Sequence, residues 1–163
     1  MDLNGMKADN VTGSSLITLS NEVEIGCPGG FTKMSTKCFK MFNDSTVTWS
    51  EAKTKCEQEG YILAQPDDSV AVNLRKYIYE EYGDYSYAWL GAQSDGSKFV
   101  YAHGGLALDN VSPLWADGEP VYVGAETCLA VLVEGYYVRY YPAQPYFSDL
   151  CTDSHNYALC EAK

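Results

Sequence analysis

Positive charge is scarce in this chain. Its 163 residues carry 11 Lys and Arg against 22 Asp and Glu, a formal net charge of −11, and the isoelectric point lies near 4.4. Phosphate-rich partners would be repelled, which excludes nucleic acid and anionic membrane surfaces and leaves cations or neutral ligands. Histidine is scarcer still. His103 and His155 are the two, and neither has a nucleophile partner visible in the sequence, so the chain does not read as an enzyme. No apolar run approaches the ~18 residues of a membrane span, which excludes insertion of a helix, and no signal-peptide core is visible. The expectation is a mature secreted chain or a trimmed ectodomain. Heptad repeats are missing too, so no coiled coil gathers the chain into a trimer, and its oligomeric state stays open.

Apolar residues make up 46% of the sequence, enough for one core of ordinary size and one domain. Six cysteines, an even number, stand in a Tyr- and Gly-rich chain with three Asn-x-Ser/Thr sequons, at Asn10, Asn43 and Asn110. Together they read as a disulfide framework in an oxidising, extracellular compartment. Zinc is the rival, but no Cys-x-x-Cys occurs and histidines are few. Six cysteines allow about fifteen pairings, and spacing alone does not choose among them.

Residues 1–26, poor in aromatics, read as a flexible tail ahead of a domain at 27–163. Cys27 to Phe42 alternates apolar and polar residues about a turn and predicts a hairpin, with the Asn43 sequon in the loop after it. Thr48-Trp49-Ser50-Glu51 has capping-box spacing, and Trp49, Ala52 and Cys56 fall on one face of the helix it opens, which Gly60 ends. A second helix follows Pro66-Asp67. It should bury Val70, Leu74, Tyr77 and Ile78 and expose Arg75, Lys76, Glu80 and Glu81. Trp89-Leu90-Gly91 and Phe99-Val100-Tyr101 read as core strands. From Ala102 to Gly118, glycine at 104, 105 and 118 and the Asn110 sequon read as a long surface loop of the kind that carries function.

Past this loop, carboxylates and cysteines recur in a fixed order: Trp115, Gly118-Glu119-Pro120-Val121, Glu126-Thr127-Cys128, Phe147-Ser148-Asp149-Leu150-Cys151, and Cys160. This ordered set resembles the long-loop half of C-type lectin-like domains. The resemblance implies an α+β fold of two helices, two small antiparallel sheets and a long loop region, in the long form with an extra N-terminal hairpin. It also implies the disulfides Cys27–Cys38, Cys56–Cys160 and Cys128–Cys151, and a cis Glu119-Pro120 bond. Sugar-binding members hold calcium with acid-plus-amide pairs and a further Glu. On this chain the resemblance keeps Glu119, Glu126 and Asp149 as metal ligands but loses both amides, because Val121 and Ser148 stand in their places. Val121 offers neither oxygen nor donor, and a serine hydroxyl reaches an ion only through water. Three converging carboxylates would need a countercharge, either one weakly held calcium or Arg139 in the adjacent loop. A second calcium position is expected to be absent, since Ser94-Asp95-Gly96-Ser97, Tyr122 and Thr127 do not reproduce its set. Gln65-Pro66-Asp67 spells the galactose-type tripeptide but lies between the two helices, where it means only a turn and a helix cap.

The most distinctive stretch runs from Gly135 to Phe147. Its six aromatics, Tyr140 and Tyr141 among them, either stack on a sugar or a protein partner or pack over a hairpin, with Pro142 and Pro145 at an exposed bend. The resemblance therefore implies an extracellular lectin for microbial or cell-surface glycans or glycoproteins, with altered calcium dependence. Its ligand-binding residues would be Glu119, Val121, Glu126, Ser148, Asp149, Tyr140 and Tyr141. The alternative is a calcium-independent module that binds a protein or lipid partner.

Overall fold

A computed structural model describes residues 26–121, 124 and 126–163. The Asn10 sequon, Tyr122 and, apart from Gly26, the expected tail lie outside these residues. The first strands, β1 (Thr32–Met34) and β2 (Lys37–Val47), pair antiparallel as the predicted hairpin. Cys27–Cys38 closes it, with Cα atoms 5.6 Å apart. Strand β2 runs on through the Asn43 sequon, which is exposed in a strand rather than set in a loop. There the register with the last strand shifts.

The capping box forms as its spacing predicts. Thr48 Oγ1 accepts from the Glu51 N–H at 3.3 Å, and Glu51 Oε1 accepts from the Thr48 N–H at 2.9 Å, which opens α1 (Trp49–Gln58). Trp49, Ala52 and Cys56 are its buried residues. Gly60 supplies the left-handed turn behind the helix, at φ +85°. After β3 (Ile62–Leu63), α2 (Asp68–Tyr82) begins behind Asp67, whose side chain makes no capping bond and instead approaches Lys37 Nζ at 3.7 Å. Strands β4 (Ala88–Ser94), β5 (Phe99–Tyr101) and β6 (Ala107–Leu108) follow, so the long loop carries a short strand of its own. The chain ends with β7 (Thr127–Val131), α3 (Gly135–Tyr140), β8 (Tyr146–Leu150) and β9 (Asn156–Glu161). The helices among the described residues number three where two are predicted.

Along the sheet the strand order is β8-β7-β4-β9-β2-β1, with β3 on β9 and β5 between β4 and β6. Two antiparallel ladders are thus joined where β9 meets β4, the one parallel pairing of two strands among the described residues. Because side chains alternate faces, the continuous apolar runs of β4, β7 and β9 bury both sides. Trp89, Cys128, Ala130, Ala158 and Cys160 meet α1 on one face. Leu90, Leu129, Val131 and Leu159 meet Leu74 and Ile78 of α2 on the other. Gly91 lets the strands close up, since a Cβ there would lie 2.7 Å from the Leu63 carbonyl oxygen. Cys56–Cys160 ties α1 to β9, with Cα atoms 5.5 Å apart, and no cysteine is left free.

Arg75 departs from expectation: it is 1% exposed rather than on the solvent side with Lys76. Its Nη1 donates to the carbonyls of Leu132 at 3.4 Å and Gln144 at 3.2 Å, and its Nη2 to those of Tyr137 at 3.2 Å and Tyr141. All four acceptors belong to the segment between β7 and β8. Burial pulls the guanidinium down to about pKa 10, so it is charged at neutral pH.

Candidate functional site

The hairpin of β7 and β8 carries the motif acids. Asp149 lies opposite Cys128 in the ladder, the Cys128–Cys151 bridge spans 5.1 Å between Cα atoms, and the Cys151 N–H donates to the Glu126 carbonyl at 2.9 Å. Strand alternation then separates neighbours. Tyr146 and Ser148 are buried on one side of β8, while Phe147 and Asp149 are half-buried on the other.

Glu119 belongs to the Ser148 side. The long loop runs beside β8, with Trp115 bridging to Tyr146, and reaches a cis Glu119-Pro120 bond. There Glu119 Oε1 accepts from the Ser148 hydroxyl at 2.9 Å, the Ser148 N–H at 2.9 Å and the Val121 N–H at 3.0 Å. Val121 turns its own side chain outward, 62% exposed.

Asp149 finds different company. Its Oδ2 accepts from Asn156 Nδ2 at 3.0 Å and its Oδ1 from the Leu150 N–H at 2.9 Å. Burial, and then the neighbouring Asp153 carboxyl, push Asp149 up to about pKa 6. Desolvation and a like charge both disfavour the ionised form. The motif does not reveal Asp153 and Asn156 as partners. The signal for them is their place beside Cys151, at the turn into β9.

Glu126 is exposed, and its carboxylate makes no hydrogen bond or ion pair among the described residues. The structure therefore brings Glu119 and Ser148 together and gives Asp149 a separate set of partners. No group of three or more His, Cys, Asp or Glu side chains among the described residues is placed to hold a metal ion. Asp95 spends its carboxylate within its own turn, on the Ser97 and Lys98 N–H groups and on Lys98 Nζ at 3.0 Å.

Arg139 does not lie in a loop beside the acids. It is exposed on α3, beyond the end of the hairpin opposite Glu126 and Asp149, four residues or about 13 Å along the strands. The tyrosines lie with it. Tyr136, Tyr140 and Tyr141 are 58%, 61% and 41% exposed, and the ring centroid of Tyr136 lies 5.1 Å from that of Tyr140 and 6.0 Å from that of Tyr141. Tyr137 is half-buried beside them, its ring centroid 5.4 Å from that of Tyr136, whereas Tyr146 is buried and Phe147 lies 5.5 Å from Tyr87, ring to ring. Pro145 is buried as well, so of the two prolines only Pro142 sits at an exposed position.

A six-residue helix with no buried side chain is too short to stand alone, and here both of its ends are held from outside. At the N-terminal end the Gly135 N–H donates to Asp84 Oδ1 at 2.5 Å, and the Tyr87 hydroxyl donates to the Glu134 carboxylate. Arg75 takes the Tyr137 and Tyr141 carbonyls at the other end, where a cation also suits the helix dipole.

Two packed helices, a disulfide-pinned hairpin and a long loop ending at a cis Glu-Pro bond define the C-type lectin-like fold, and this chain has it. The structure is similar to that of TC14, a C-type lectin from the tunicate Polyandrocarpa misakiensis, at 20% identity and TM-score 0.59 over 77% of this chain and 98% of that one. It is similar to the carbohydrate-recognition domain of the mouse scavenger receptor C-type lectin, at 19% identity and TM-score 0.62 over 85% and 98%. A calcium-independent type II antifreeze protein is similar too, at 19% identity and TM-score 0.63 over 86% and 97%. No protein-family model matches the sequence, and no curated protein does.

Proposed function

We propose that this chain is an extracellular, non-catalytic lectin-like module that binds glycans through the tyrosine surface of α3, with the Glu119-Pro120-Val121 site as support rather than anchor. Three disulfides suit an oxidising compartment, and no helix among the described residues is long and apolar enough to cross a membrane. The observation that carries the reading is the exposure of Tyr136, Tyr140 and Tyr141 on a helix fixed at both ends. Tyrosine gives a ring face for the C–H side of a pyranose and a hydroxyl for its polar rim, and a fixed platform loses little entropy on binding. Similar structures at 18–19% identity include SPL-1 in complex with GlcNAc and a C-type lectin domain of a murine dendritic cell inhibitory receptor in complex with an N-glycan.

Glycan arrays with the wild type and with Tyr140→Ala/Tyr141→Ala test this. Each lost ring should cost about 1 kcal/mol, so the double variant should bind roughly thirtyfold more weakly. Undiminished binding by that variant would refute the role of α3. The second reading, a protein partner, draws on Arg139 on the same helix as the tyrosines, since Arg and Tyr are both enriched in interface hot spots. It prevails if the arrays stay blank while α3 variants lose a protein ligand.

A further inference from the structure

Calcium in a lectin-like loop takes six to eight oxygens at about 2.3–2.6 Å, most of them from side chains. Here the donors are committed elsewhere. Oε1 of Glu119 already accepts three hydrogen bonds. Asp149 faces away from Glu119 across β8 and is held by Asn156. Val121 has no side-chain oxygen, and Ser148, the residue in the other amide position, is 3% exposed with its hydroxyl on Glu119. An ion that claimed Oε1 would strip a buried hydroxyl and a buried N–H of their acceptor, a cost that water could not offset. Oε2 of Glu119 and the exposed Glu126 carboxylate are what remains of the two acids nearest the loop, well short of a calcium shell.

We propose that Ser148 does for this long loop what a bound cation would do: its hydroxyl and N–H hold Glu119 and so fix the Glu119-Pro120-Val121 turn, and the loop takes up no calcium. The donors here point inward from a disulfide-braced strand, so the turn is held in the metal-free protein and its shape does not follow the calcium concentration. The strand sets this up through its period of two. Once Ser148 faces the loop, the Asp149 side chain faces away and bonds Asn156 instead. The inference deepens the glycan-binding reading by making it independent of chelators, but its test involves no glycan and stands or falls separately.

The test is a calorimetric titration of the full chain with calcium chloride alone, with thermal unfolding in 10 mM calcium and in EDTA. Even a millimolar site would raise Tm by about 3–6 °C at 10 mM calcium. The expected result is no saturable heat and the same Tm in both buffers. In parallel, Ser148→Ala should speed hydrogen exchange at the Val121 N–H while leaving exchange in β9 unchanged. Saturable calcium binding by the wild type, or a Tm that rises with calcium, overturns the proposal whether or not the variant folds. Unchanged exchange at Val121 in a folded Ser148→Ala variant overturns the part assigned to the serine.

Discussion

Replacing Arg75 by Met keeps most of the stem that packs under α3 and removes the guanidinium. Four carbonyls of the segment between β7 and β8 lose their donor. A hydrogen bond from a charged donor is worth about 1.5–3 kcal/mol net, and the 3.4 Å bond to Leu132 lies beyond good geometry. Three effective bonds at the low end give about 4–5 kcal/mol. The segment can swing out and rehydrate its carbonyls, so the loss should fall on its own opening equilibrium more than on global unfolding. The Val138 N–H, bonded to Glu134 O, and the Tyr141 N–H, bonded to Tyr137 O, report that opening by hydrogen exchange. Both should exchange roughly three hundredfold to a thousandfold faster in Arg75→Met, once discounted for residual packing. The Ala64 N–H, bonded to Leu159 O across the sheet, should keep its wild-type rate. Arg75→Lys should recover little of the protection, because one ammonium cannot span four acceptors that a planar fork reaches. Unchanged exchange at Val138 and Tyr141, or a uniform rise across the sheet, would refute the assignment of Arg75 to this segment.

Three further outcomes follow from the geometry. Gly91→Ala should lower stability by about 1–3 kcal/mol in chemical denaturation, because its Cβ would meet the Leu63 carbonyl oxygen at 2.7 Å; a neutral result would show that the strands separate at no cost. Removing the Cys128–Cys151 bridge, which spans 23 residues, should cost about 3 kcal/mol in the chain-entropy model, against nearly 5 for Cys56–Cys160, which spans 104; an inverted order in paired Ala variants would contradict it. Asp149, pushed up to about pKa 6 by burial and by Asp153, holds its proton more tightly folded than unfolded. Its contribution to stability is therefore full below about pH 4 and lost as pH rises through 6. Asp149→Asn should flatten that fall in a Tm-against-pH series, and a variant whose curve still falls in parallel with the wild type would point to another group.

The cysteines and the apolar runs were legible because each obeys a local rule. Both faces of β4, β7 and β9 are buried, so Trp89-Leu90 and Cys128 to Val131 show as unbroken apolar stretches. The capping box at Thr48 and Glu51 needs only three residues of spacing. Arg75 was misread although the pattern held the clue: it lies four residues after Ala71 and three before Ile78, on the face those two bury. Its charge argued for solvent, and its acceptors, more than 50 residues away in sequence, could not be seen locally. α3 was hidden in the same way. Its helical turns depend on a distant guanidinium and on Asp84 rather than on the propensities of Tyr136 to Tyr140.

The motif order is present in this chain, but the strands send its acids to different partners. E-P-x, E-x-C and x-D-x-C appear in sequence as one set of acids, because a one-dimensional order does not say which face of a strand each residue takes. Once β7 and β8 pair in the observed register, Ser148 and Asp149 diverge, and Glu119 follows the serine. What the hairpin keeps is stiffness: a disulfide at the Glu126 end and a buried arginine under the tyrosine end. The two ends can then change independently. A substitution that alters the loop at Glu119 should leave α3 presented as before, and the loss of Arg75 should free the tyrosines without disturbing the Glu119–Ser148 pair. Amide exchange at Val121 and at Tyr141, measured in Ser148→Ala and in Arg75→Met, decides this, since coupled ends would make both probes respond to either change.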